Sequence, residues 1–351
     1  MSSSSSSSNY QQNYLWEMNP NFSVANPGDD TRKYQNEYTQ KEELGKGGFG
    51  IVTRCIHKGR NLELAAKINN AADKKRAQED ERDICMALSA HGHLNLVNLF
   101  DSITEGDVVY NMYELATGGD LMQEITRKEY LNIDEAAIAI CQILDGVNHM
   151  HDRGYLHRDL KPHNVLVQYK GVQIYKIADF GLSCRRLLQG LAYVRHNHGR
   201  AGTVMYQPPE AINHNPYDTD FDIWSCGVIL YQMLAGYAPF WETSNPDMLA
   251  KISAVDFEYA NPEWSNMDEP KQMINVMIAA LQNRFNYQQI VALPMYIRGR
   301  HQALTHPPKT NVLKQYIARK QLKKDLLRTE AARRAATQAQ QAQQAGAAGG
   351  P

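Results

Sequence analysis

The segment His157–Asn164, with the sequence HRDLKPHN, brings together a carboxylate, two cationic side chains, an amide and two imidazoles. When side chains of these types converge on one site, they transfer protons and hold anionic groups or metal ions. A polar turn around Pro162 is the alternative, because loops tolerate such residues without any chemistry. The segment therefore indicates a reactive site only if the rest of the chain supplies partners for it.

A glycine-rich segment lies upstream. Gly45–Val52 reads GKGGFGIV, and glycines at these spacings let backbone N–H groups approach phosphate oxygens closely. The same spacing opens a dinucleotide-binding fold when a helix follows directly and an acid comes about 20 residues later. Here a β-like run from Ile51 to Cys55 follows instead. The pattern therefore favours a β-hairpin flap over a dinucleotide-binding fold.

Lys67 stands in an apolar, strand-like run at 64–68. A buried ammonium group is costly unless it is paired, so this lysine either points outwards or has an acidic partner. Glu81 is the expected partner, because its spacing from Cys85 and Leu88 places it on the helix stripe that should face the core. Glu79 and Asp80, on the same helix, are expected to lie in solvent.

Three further motifs complete the pattern, reading DFG at 179–181, PPE at 208–210 and DIW at 222–224. The six motifs, in this order, resemble the signature set of eukaryotic protein kinases. Lys161, placed two residues after Asp159, resembles the Ser/Thr-specific class. The resemblance implies phosphoryl transfer from ATP, with Mg²⁺, to Ser or Thr hydroxyl groups of protein substrates.

The resemblance also implies a nucleotide site. Lys67, paired with Glu81, would hold the α- and β-phosphates of ATP, and Asn164 and Asp179 would bind Mg²⁺ through oxygen atoms. The residues expected to line the ATP site are Leu44, Gly45, Lys46, Gly47, Gly48, Phe49, Gly50, Val52, Ala65, Lys67, Glu114, Ala116, Asp120, Asn164 and Asp179.

Catalysis and substrate recognition would centre on Asp159. It would accept the proton of the substrate hydroxyl, while Lys161 would face the transferred phosphate. His163 and Gln123 stand where basophilic kinases carry acids, which indicates a changed substrate preference. The residues expected to contact the substrate are Asp120 and Thr203. The expected catalytic set is Asp159, Lys161, Asn164, Lys67 and Glu81.

Two further roles follow from the resemblance. Glu210 and Arg284 are expected to form a buried structural ion pair. In many kinases the residue at Arg158 binds a phosphate on the activation loop. That loop offers only Ser183 and Tyr193 as hydroxyl groups here, which argues against such a role.

These residues need two different frameworks to position them. Residues 38–115 alternate β-like runs with a charged helical stretch near 72–89, whereas apolar residues farther along recur at helical spacing. We therefore predict an α+β, bilobal protein kinase fold over 37–300, with a small β-rich N-lobe and a larger helical C-lobe. Polar, low-complexity composition predicts disordered tails at 1–36 and 335–351.

The segment 308–334 is basic and amphipathic. Such a helix is typical of a calmodulin target, a membrane-surface helix or an ordinary surface helix. The strings LATGGD at 115–120 and GYAPFW at 236–241 resemble calcium/calmodulin-dependent protein kinases, type II in particular. The resemblance implies an autoinhibitory helix released by Ca²⁺/calmodulin, with Thr310 near an autophosphorylation position in an altered sequence context. The residues expected to contact calmodulin are Leu313, Ile317, Leu322 and Leu326.

Composition limits the classes of function. The chain has 37 Lys and Arg against 38 Asp and Glu, which argues against a surface built for nucleic acid. Its 5 scattered cysteines fit reduced thiols, and no apolar run is long enough for a membrane span or a secretory signal. We therefore expect a cytoplasmic protein, and a monomeric one, because no association domain is recognisable.

Two alternatives stay open at this stage. The chain could be a pseudokinase that binds calmodulin as a scaffold, or a kinase whose basic helix docks on an anionic membrane. Pseudokinases typically lose at least one residue of the phosphoryl-transfer set, whereas Lys67, Asp159, Asn164 and Asp179 are all present. This favours an active enzyme.

Overall fold

The N-terminal lobe is built on an antiparallel β-sheet. The computed structural model describes residues 32–47, 50–70, 75–189, 192–196, 198–199, 201–242, 244–260 and 262–305. The strands of the sheet are β1 (Tyr38–Gly47), β2 (Gly50–His57), β3 (Leu62–Asn70), β4 (Leu99–Glu105) and β5 (Val108–Glu114). Their order across the sheet is β1-β2-β3-β5-β4, with antiparallel neighbours throughout.

The two faces of this sheet have different partners. Thr53 and Cys55 of β2 are buried on one face, where Cys55 belongs to a small apolar core of the lobe. Val52 pairs with Lys67 of β3, and paired residues point to the same face. Helix α2 (Lys75–His91) follows β3 in the chain, and its buried residues Ile84, Cys85 and Leu88 join the main hydrophobic core.

The first described residues already pack on the sheet. Arg32 donates to Asp101 of β4 at 2.6 Å and to Glu37 at 2.7 Å, and a short helix, α1 (Tyr34–Glu37), follows. Tyr34 is buried, and its ring stacks on that of Tyr110 with a centroid distance of 4.4 Å. Residues 32–36, which the sequence analysis placed in a disordered tail, therefore belong to this lobe. The rest of that tail, residues 1–31, lies outside the described residues.

The C-terminal lobe is mainly helical. Its α-helices are α3 (Leu121–Lys128), α4 (Ile133–Asp152), α5 (Pro209–Ile212), α6 (Asp220–Ala235), α7 (Asn245–Ala254), α8 (Asp268–Met277), α9 (Tyr287–Ile290) and α10 (Pro294–Thr305). Short 3₁₀ helices occupy Pro162–Asn164, Val204–Tyr206, Pro262–Asn266 and Leu281–Asn283. The architecture confirms the α+β, two-lobed fold predicted from the sequence.

Two long helices, α4 and α6, form the centre of this lobe. Asn132 caps α4 in a reciprocal capping box with Glu135, which satisfies backbone donors that the first turn leaves unpaired. Helix α6 is buried from Phe221 to Leu234, as expected for a helix that is apolar on all sides. It ends at Gly236, whose φ of 81° lies in the left-handed region that glycine adopts at low cost. Helix α6 is therefore packed on all sides, and through Asp222 it contacts the segment that contains His157 and Arg158.

Short strand pairs carry the loops between the two lobes. These strands are β6 (Tyr155–Leu156), β7 (Val165–Tyr169), β8 (Val172–Ile177), β9 (Cys184–Arg185), β10 (Leu187–Gln189) and β11 (Ala192–Val194). They pair antiparallel as β6 with β9, β7 with β8 and β10 with β11. The HRDLKPHN segment therefore lies between β6 and β7, and the DFG motif directly follows β8.

Helix α10 is fastened to α4 through one carboxylate. Asp145 accepts hydrogen bonds from the hydroxyl of Tyr287 at 2.8 Å, from Arg300 at 2.7 Å and from the hydroxyl of Tyr296. The helix continues beyond residue 300, where the sequence analysis ended the domain, to Thr305. The segment 308–334, with Thr310, and the tail 335–351 lie outside the described residues.

The described residues add two findings on composition. None of their helices is both long enough and apolar enough to cross a bilayer. All 5 cysteines of the chain are free thiols, and Cys184 is the only one of them that is not buried. This agrees with the expectation of reduced cysteines without a disulfide framework.

The stability of the fold should depend on pH through His93. Its ring contacts that of His149 on α4 at a centroid distance of 4.6 Å. Burial, followed by the charges of Lys176, Arg153 and Arg300, lowers the pKa of His93 from 6.5 to about 4. Between these two pKa values, His93 is protonated in the unfolded chain and neutral in the folded chain. The free energy of unfolding therefore falls as the pH drops from about 6.5 to about 4. At pH 5 the loss from this group should be about 2 kcal/mol.

Denaturant unfolding at pH 7 and pH 5 measures this effect. The variant His93→Gln should lose about 2 kcal/mol less than the unsubstituted chain between these two pH values. The exposed His301→Gln serves as the matched control and should follow the unsubstituted chain. Equal pH dependence in all three proteins would show that His93 titrates normally in the folded state.

Candidate active site

Lys67 occupies the centre of the cleft between the lobes. Its ammonium nitrogen lies 2.7 Å from Oε1 of Glu81 on α2 and 3.1 Å from Oδ1 of Asp179 after β8. Lys67 and Glu81 are 8% and 5% exposed, so this contact joins two desolvated charges. Burial alone would lower the pKa of Lys67, but the attraction of Glu81 and Asp179 outweighs it and raises the pKa above its ordinary value.

Asp179 connects this ion pair to the DFG motif. Its φ of 62° lies in the left-handed region, which is uncommon for a residue other than glycine. Burial alone would raise the pKa of Asp179, but the charge and the hydrogen bond of Lys67 outweigh it and lower the pKa. The next residue, Phe180, is buried, and its ring packs against that of His157 with a centroid distance of 5.6 Å. The carboxylate of Asp179 thus contacts Lys67 at the cleft, and the residue that follows it is anchored in the hydrophobic core.

Asp159 collects several hydrogen-bond donors on its carboxylate. Lys161 donates to Oδ2 at 2.8 Å, and the amide nitrogen of Asn164 donates to the same oxygen at 3.0 Å. The backbone and the hydroxyl of Thr203 donate to Oδ1 at 2.9 Å and 3.2 Å. Asp159 is 6% exposed, so these bonds fix a largely buried carboxylate in one orientation. The structure thus brings Asp159, Lys161, Asn164 and Thr203 together.

The loop that carries Asp159 is held from below by Asp222 of α6. The backbone N–H groups of His157 and Arg158 donate to its two oxygens, each at 2.9 Å, and Nε2 of His151 lies 2.7 Å away. Burial alone would raise the pKa of Asp222, but the hydrogen bond and the charge of His151 lower it. Sequence reasoning noted Asp222 only as part of a motif and missed His151. An acid within an otherwise apolar helix was the available signal, because a buried carboxylate needs donors.

Arg158 directs its side chain at backbone carbonyl groups. Its Nε donates to the carbonyl oxygen of Leu182 at 2.9 Å, and its Nη1 donates to that of His198 at 3.0 Å. Tyr217 donates to the carbonyl oxygen of Gly199 at 2.7 Å and so holds the same stretch of chain. Arg158 thus connects the loop that carries Asp159 to the backbone at Leu182 and His198.

The two ends of the glycine-rich segment belong to β1 and β2, which pair with each other. Gly45 pairs with Val52, and Gly47 pairs with Gly50, so the β-hairpin expected from the sequence is present. A Cβ atom at Gly50, whose φ is 121°, would lie 2.4 Å from the carbonyl oxygen of Ile68. Only glycine therefore fits at this position. Gly48 and Phe49, also predicted to cover the nucleotide, lie outside the described residues.

The other residues predicted to line the nucleotide site lie on β1, β2 and β3 and at the end of β5. They are Leu44 and Lys46 in β1, Val52 in β2, Ala65 in β3, Glu114 in β5 and Ala116 just after it. The side chain of Glu114 is buried and lies 3.1 Å from Nζ of Lys176 and 3.0 Å from the amide nitrogen of Asn98. The carboxylate of Glu114 is thus paired inside the protein with Lys176 and Asn98.

Asp120 and Gln123 form a capping box at the start of α3. Oδ1 of Asp120 accepts the backbone N–H of Gln123 at 2.7 Å, and Oε1 of Gln123 accepts that of Asp120 at 3.4 Å. The sequence analysis assigned Asp120 to the nucleotide and the substrate, and the structure uses its carboxylate as a helix cap. The spacing of an acid and a glutamine three residues apart was a readable signal for this cap. His163, on the neighbouring 3₁₀ helix, is exposed.

Glu210 and Arg284 form an ion pair in the core of the C-terminal lobe. Nη1 and Nη2 of Arg284 lie 2.5 Å and 3.2 Å from the two carboxylate oxygens of Glu210. The guanidinium group also lies over the ring of Trp224, at 4.9 Å from its centroid. The pairing expected from the sequence is therefore present in the structure.

Comparison with known proteins identifies the family. A family model described as the protein kinase domain matches residues 38–341. The chain belongs to the protein kinase family. The match extends beyond residue 300, where the sequence analysis ended the kinase domain, and includes the segment 308–334.

The kinases most similar to this chain include calcium/calmodulin-dependent protein kinases type II. The alpha chain of Drosophila melanogaster is 39% identical over 322 residues, which are 89% of this chain and 59% of that protein. The protein of Caenorhabditis briggsae is 39% identical over 302 residues, 83% of this chain and 55% of that protein. The delta subunit of Oryctolagus cuniculus is 37% identical over 313 residues, 86% and 57% respectively. This chain thus spans little more than half the length of these kinases.

Protein kinases of this type use ATP and Mg²⁺, and the donor set of this chain fits both. Asp179 supplies a carboxylate whose pKa is lowered, and Asn164 keeps its amide oxygen because its nitrogen donates to Asp159. Oxygen ligands of this kind suit Mg²⁺. Lys67 supplies a fixed cation of the type that binds phosphate oxygens.

Proposed function

We propose that this chain is a Ser/Thr protein kinase that transfers the terminal phosphoryl group of ATP to hydroxyl groups of protein substrates. The observation that carries the proposal is the arrangement around Asp159, whose buried carboxylate is fixed by Lys161, Asn164 and Thr203. Phosphoryl transfer needs mainly positioning and cationic stabilisation, and these are what the arrangement supplies.

Each residue then has a definite task. Asp159 accepts the proton of the substrate hydroxyl, and Lys161, 3.0 Å from Oγ1 of Thr203, places a cation where the transferred group carries negative charge. Lys67 orients the phosphates while Glu81 keeps its ammonium group in place. Asp179 and Asn164 would hold Mg²⁺, which neutralises charge on the phosphate oxygens.

We further propose that the segment 308–334 gates this activity. The names of the similar kinases describe them as calcium/calmodulin-dependent, and this segment carries a stripe of apolar residues among basic ones. The segment would block the substrate cleft in the resting protein. Ca²⁺/calmodulin would bind the stripe formed by Leu313, Ile317, Leu322 and Leu326 and shift the population to the open state.

Phosphorylation of a panel of Ser and Thr peptides by the full chain tests both proposals. Activity should be low with EGTA and rise at least about tenfold with Ca²⁺/calmodulin, which corresponds to a shift of only about 1.4 kcal/mol. A chain that ends at residue 305 should be active without calmodulin. Ile317→Lys with Leu326→Lys should abolish calmodulin binding, whereas Lys320→Gln, a control within the same segment, should retain it.

Three outcomes would contradict parts of the proposal. Equal activity in all conditions would exclude autoinhibition by 308–334. Calmodulin binding without activity on any peptide would identify a scaffold instead of an enzyme. Sedimentation of the full chain with anionic vesicles that persists in the presence of Ca²⁺/calmodulin would identify a membrane-docking helix instead of a calmodulin target.

A further inference from the structure

Tyr113 of β5 lies where the sheet, helix α2 and the ion pair of Lys67 meet. It pairs with Ala65 of β3 and with Leu99 of β4, so it sits in the interior of the sheet and not at its edge. The residue is 8% exposed. Its hydroxyl oxygen lies 3.5 Å from Oε1 of Glu81 and 3.6 Å from the sulfur atom of Cys85.

The hydroxyl of Tyr113 acts as a donor at this place. Burial, followed by the electrostatic interactions with Cys85 and Glu81, raises the pKa of Tyr113 well above its ordinary value, so the proton stays on the oxygen. Of the two neighbours, Glu81 offers a carboxylate oxygen, whereas Cys85 offers a sulfur atom, which is a weak acceptor. Hydrogen bonds to charged acceptors are the stronger ones.

The contact involves the same oxygen that accepts the ammonium group of Lys67. Oε1 of Glu81 lies 2.7 Å from Nζ of Lys67 and 3.5 Å from the hydroxyl of Tyr113. Lys67 belongs to β3 and Tyr113 to β5, two paired strands, whereas Glu81 belongs to α2. The carboxylate is thus contacted from two neighbouring strands of the sheet.

We propose that Tyr113 is a positioning residue for phosphoryl transfer, whose hydroxyl holds Glu81 in the orientation that pairs with Lys67. The proposal rests on the proposed kinase function and names a residue that acts through Glu81. The ring of Tyr113 packs in the core, and its hydroxyl, through Glu81, orients helix α2 relative to the sheet.

The variant Tyr113→Phe tests the hydroxyl, because it keeps the ring. With the full chain and Ca²⁺/calmodulin present, kcat/KM for ATP should fall about tenfold, since a misplaced Lys67 binds the phosphates poorly. The KM for the peptide substrate should change less than about twofold, because the peptide does not contact this part of the cleft. A role in packing alone would not separate these two constants.

Tyr38→Phe is the matched control. It removes another buried hydroxyl of the same lobe, which donates to Asp101 at 2.8 Å on the opposite face of the sheet. Its kcat/KM for ATP should stay within about twofold of the unsubstituted chain, even if both variants lower the unfolding temperature alike. Equal losses of kcat/KM in the two variants would overturn the proposal, because they would reflect stability.

A double-mutant cycle with Glu81→Ala decides whether Tyr113 acts through Glu81. Once Glu81 is truncated, Tyr113→Phe should cost less than about twofold further. A tenfold loss in both backgrounds would contradict the proposal. The unsubstituted chain separates the two levels of inference: if it is active and Tyr113→Phe is unchanged, only this proposal fails, and if it is inactive towards every peptide, both fail.

Discussion

Asp159→Asn should lower kcat for peptide phosphorylation by about 10²–10⁴-fold, the range expected when a positioned general base is removed. The amide of asparagine keeps the size of the side chain but cannot accept a proton from the substrate hydroxyl. It also turns an N–H group towards donors, because Lys161, Asn164 and Thr203 all donate to the native carboxylate. The loss should appear in kcat, with the affinity for ATP changed little, since Asp159 does not hold the nucleotide.

Steady-state kinetics and nucleotide titration measure this pair of effects. Asp152→Asn is the matched control, because this carboxylate is exposed at the end of α4, where it accepts a hydrogen bond from the side chain of Asn148 at 2.9 Å. Its kinetic constants should equal those of the unsubstituted chain. If Asp159→Asn retained kcat within about tenfold, Asp159 would not act as the base, and the proposed division of tasks around it would be wrong.

Arg284→Ala should reduce the free energy of unfolding by about 3–5 kcal/mol, because it leaves the charge of Glu210 buried without its partner. The side chains of Arg284 and Glu210 are 0% and 4% exposed, so water cannot replace the lost guanidinium group. The substitution also removes the contact with the ring of Trp224. For a domain of this size the unfolding temperature should fall by roughly 10 °C.

Denaturant and thermal unfolding check this expectation against a surface pair. Arg298 lies 3.0 Å from Glu269 and 3.3 Å from Asp134, and its side chain is 42% exposed. Arg298→Ala should therefore cost less than about 1 kcal/mol. A combined Glu210→Gln and Arg284→Met replacement should recover part of the stability lost in Arg284→Ala, since no unpaired charge is then buried. A loss below about 1 kcal/mol in Arg284→Ala would mean that Glu210 finds another partner.

The sequence was sufficient where local periodicity or a motif carried the information. The helical spacing of Glu81 relative to Cys85 and Leu88 predicted its pairing with Lys67, and both apolar residues are buried. The glycine-rich segment predicted a β-hairpin because a β-like run followed it. In each case the deciding residues lie within one helix or one pair of neighbouring strands, where spacing alone determines which side chains share a face.

The contacts that sequence reasoning missed join residues that are distant in the chain, or involve a residue whose sequence pattern fits two different roles. Arg32 was assigned to a polar tail because its partner, Asp101, lies in β4 and no local pattern links the two. Asp120 was assigned to ligands, although its spacing from Gln123 also fits a helix cap. The hydroxyl of Tyr113 near Glu81 depends on how β5 packs against α2, which a strand pattern does not specify.

The support of the HRDLKPHN segment by Asp222 divides the candidate site into two parts with different freedom to rearrange. The carboxylate of Asp222 is fully buried in α6, so the backbone of His157 and Arg158 cannot move without opening the C-terminal core. The other part of the site, Lys67 with Glu81, spans a sheet and a separate helix. Under the proposed function, a shift of α2 would therefore alter the pairing of Glu81 with Lys67 without displacing the backbone that carries Asp159.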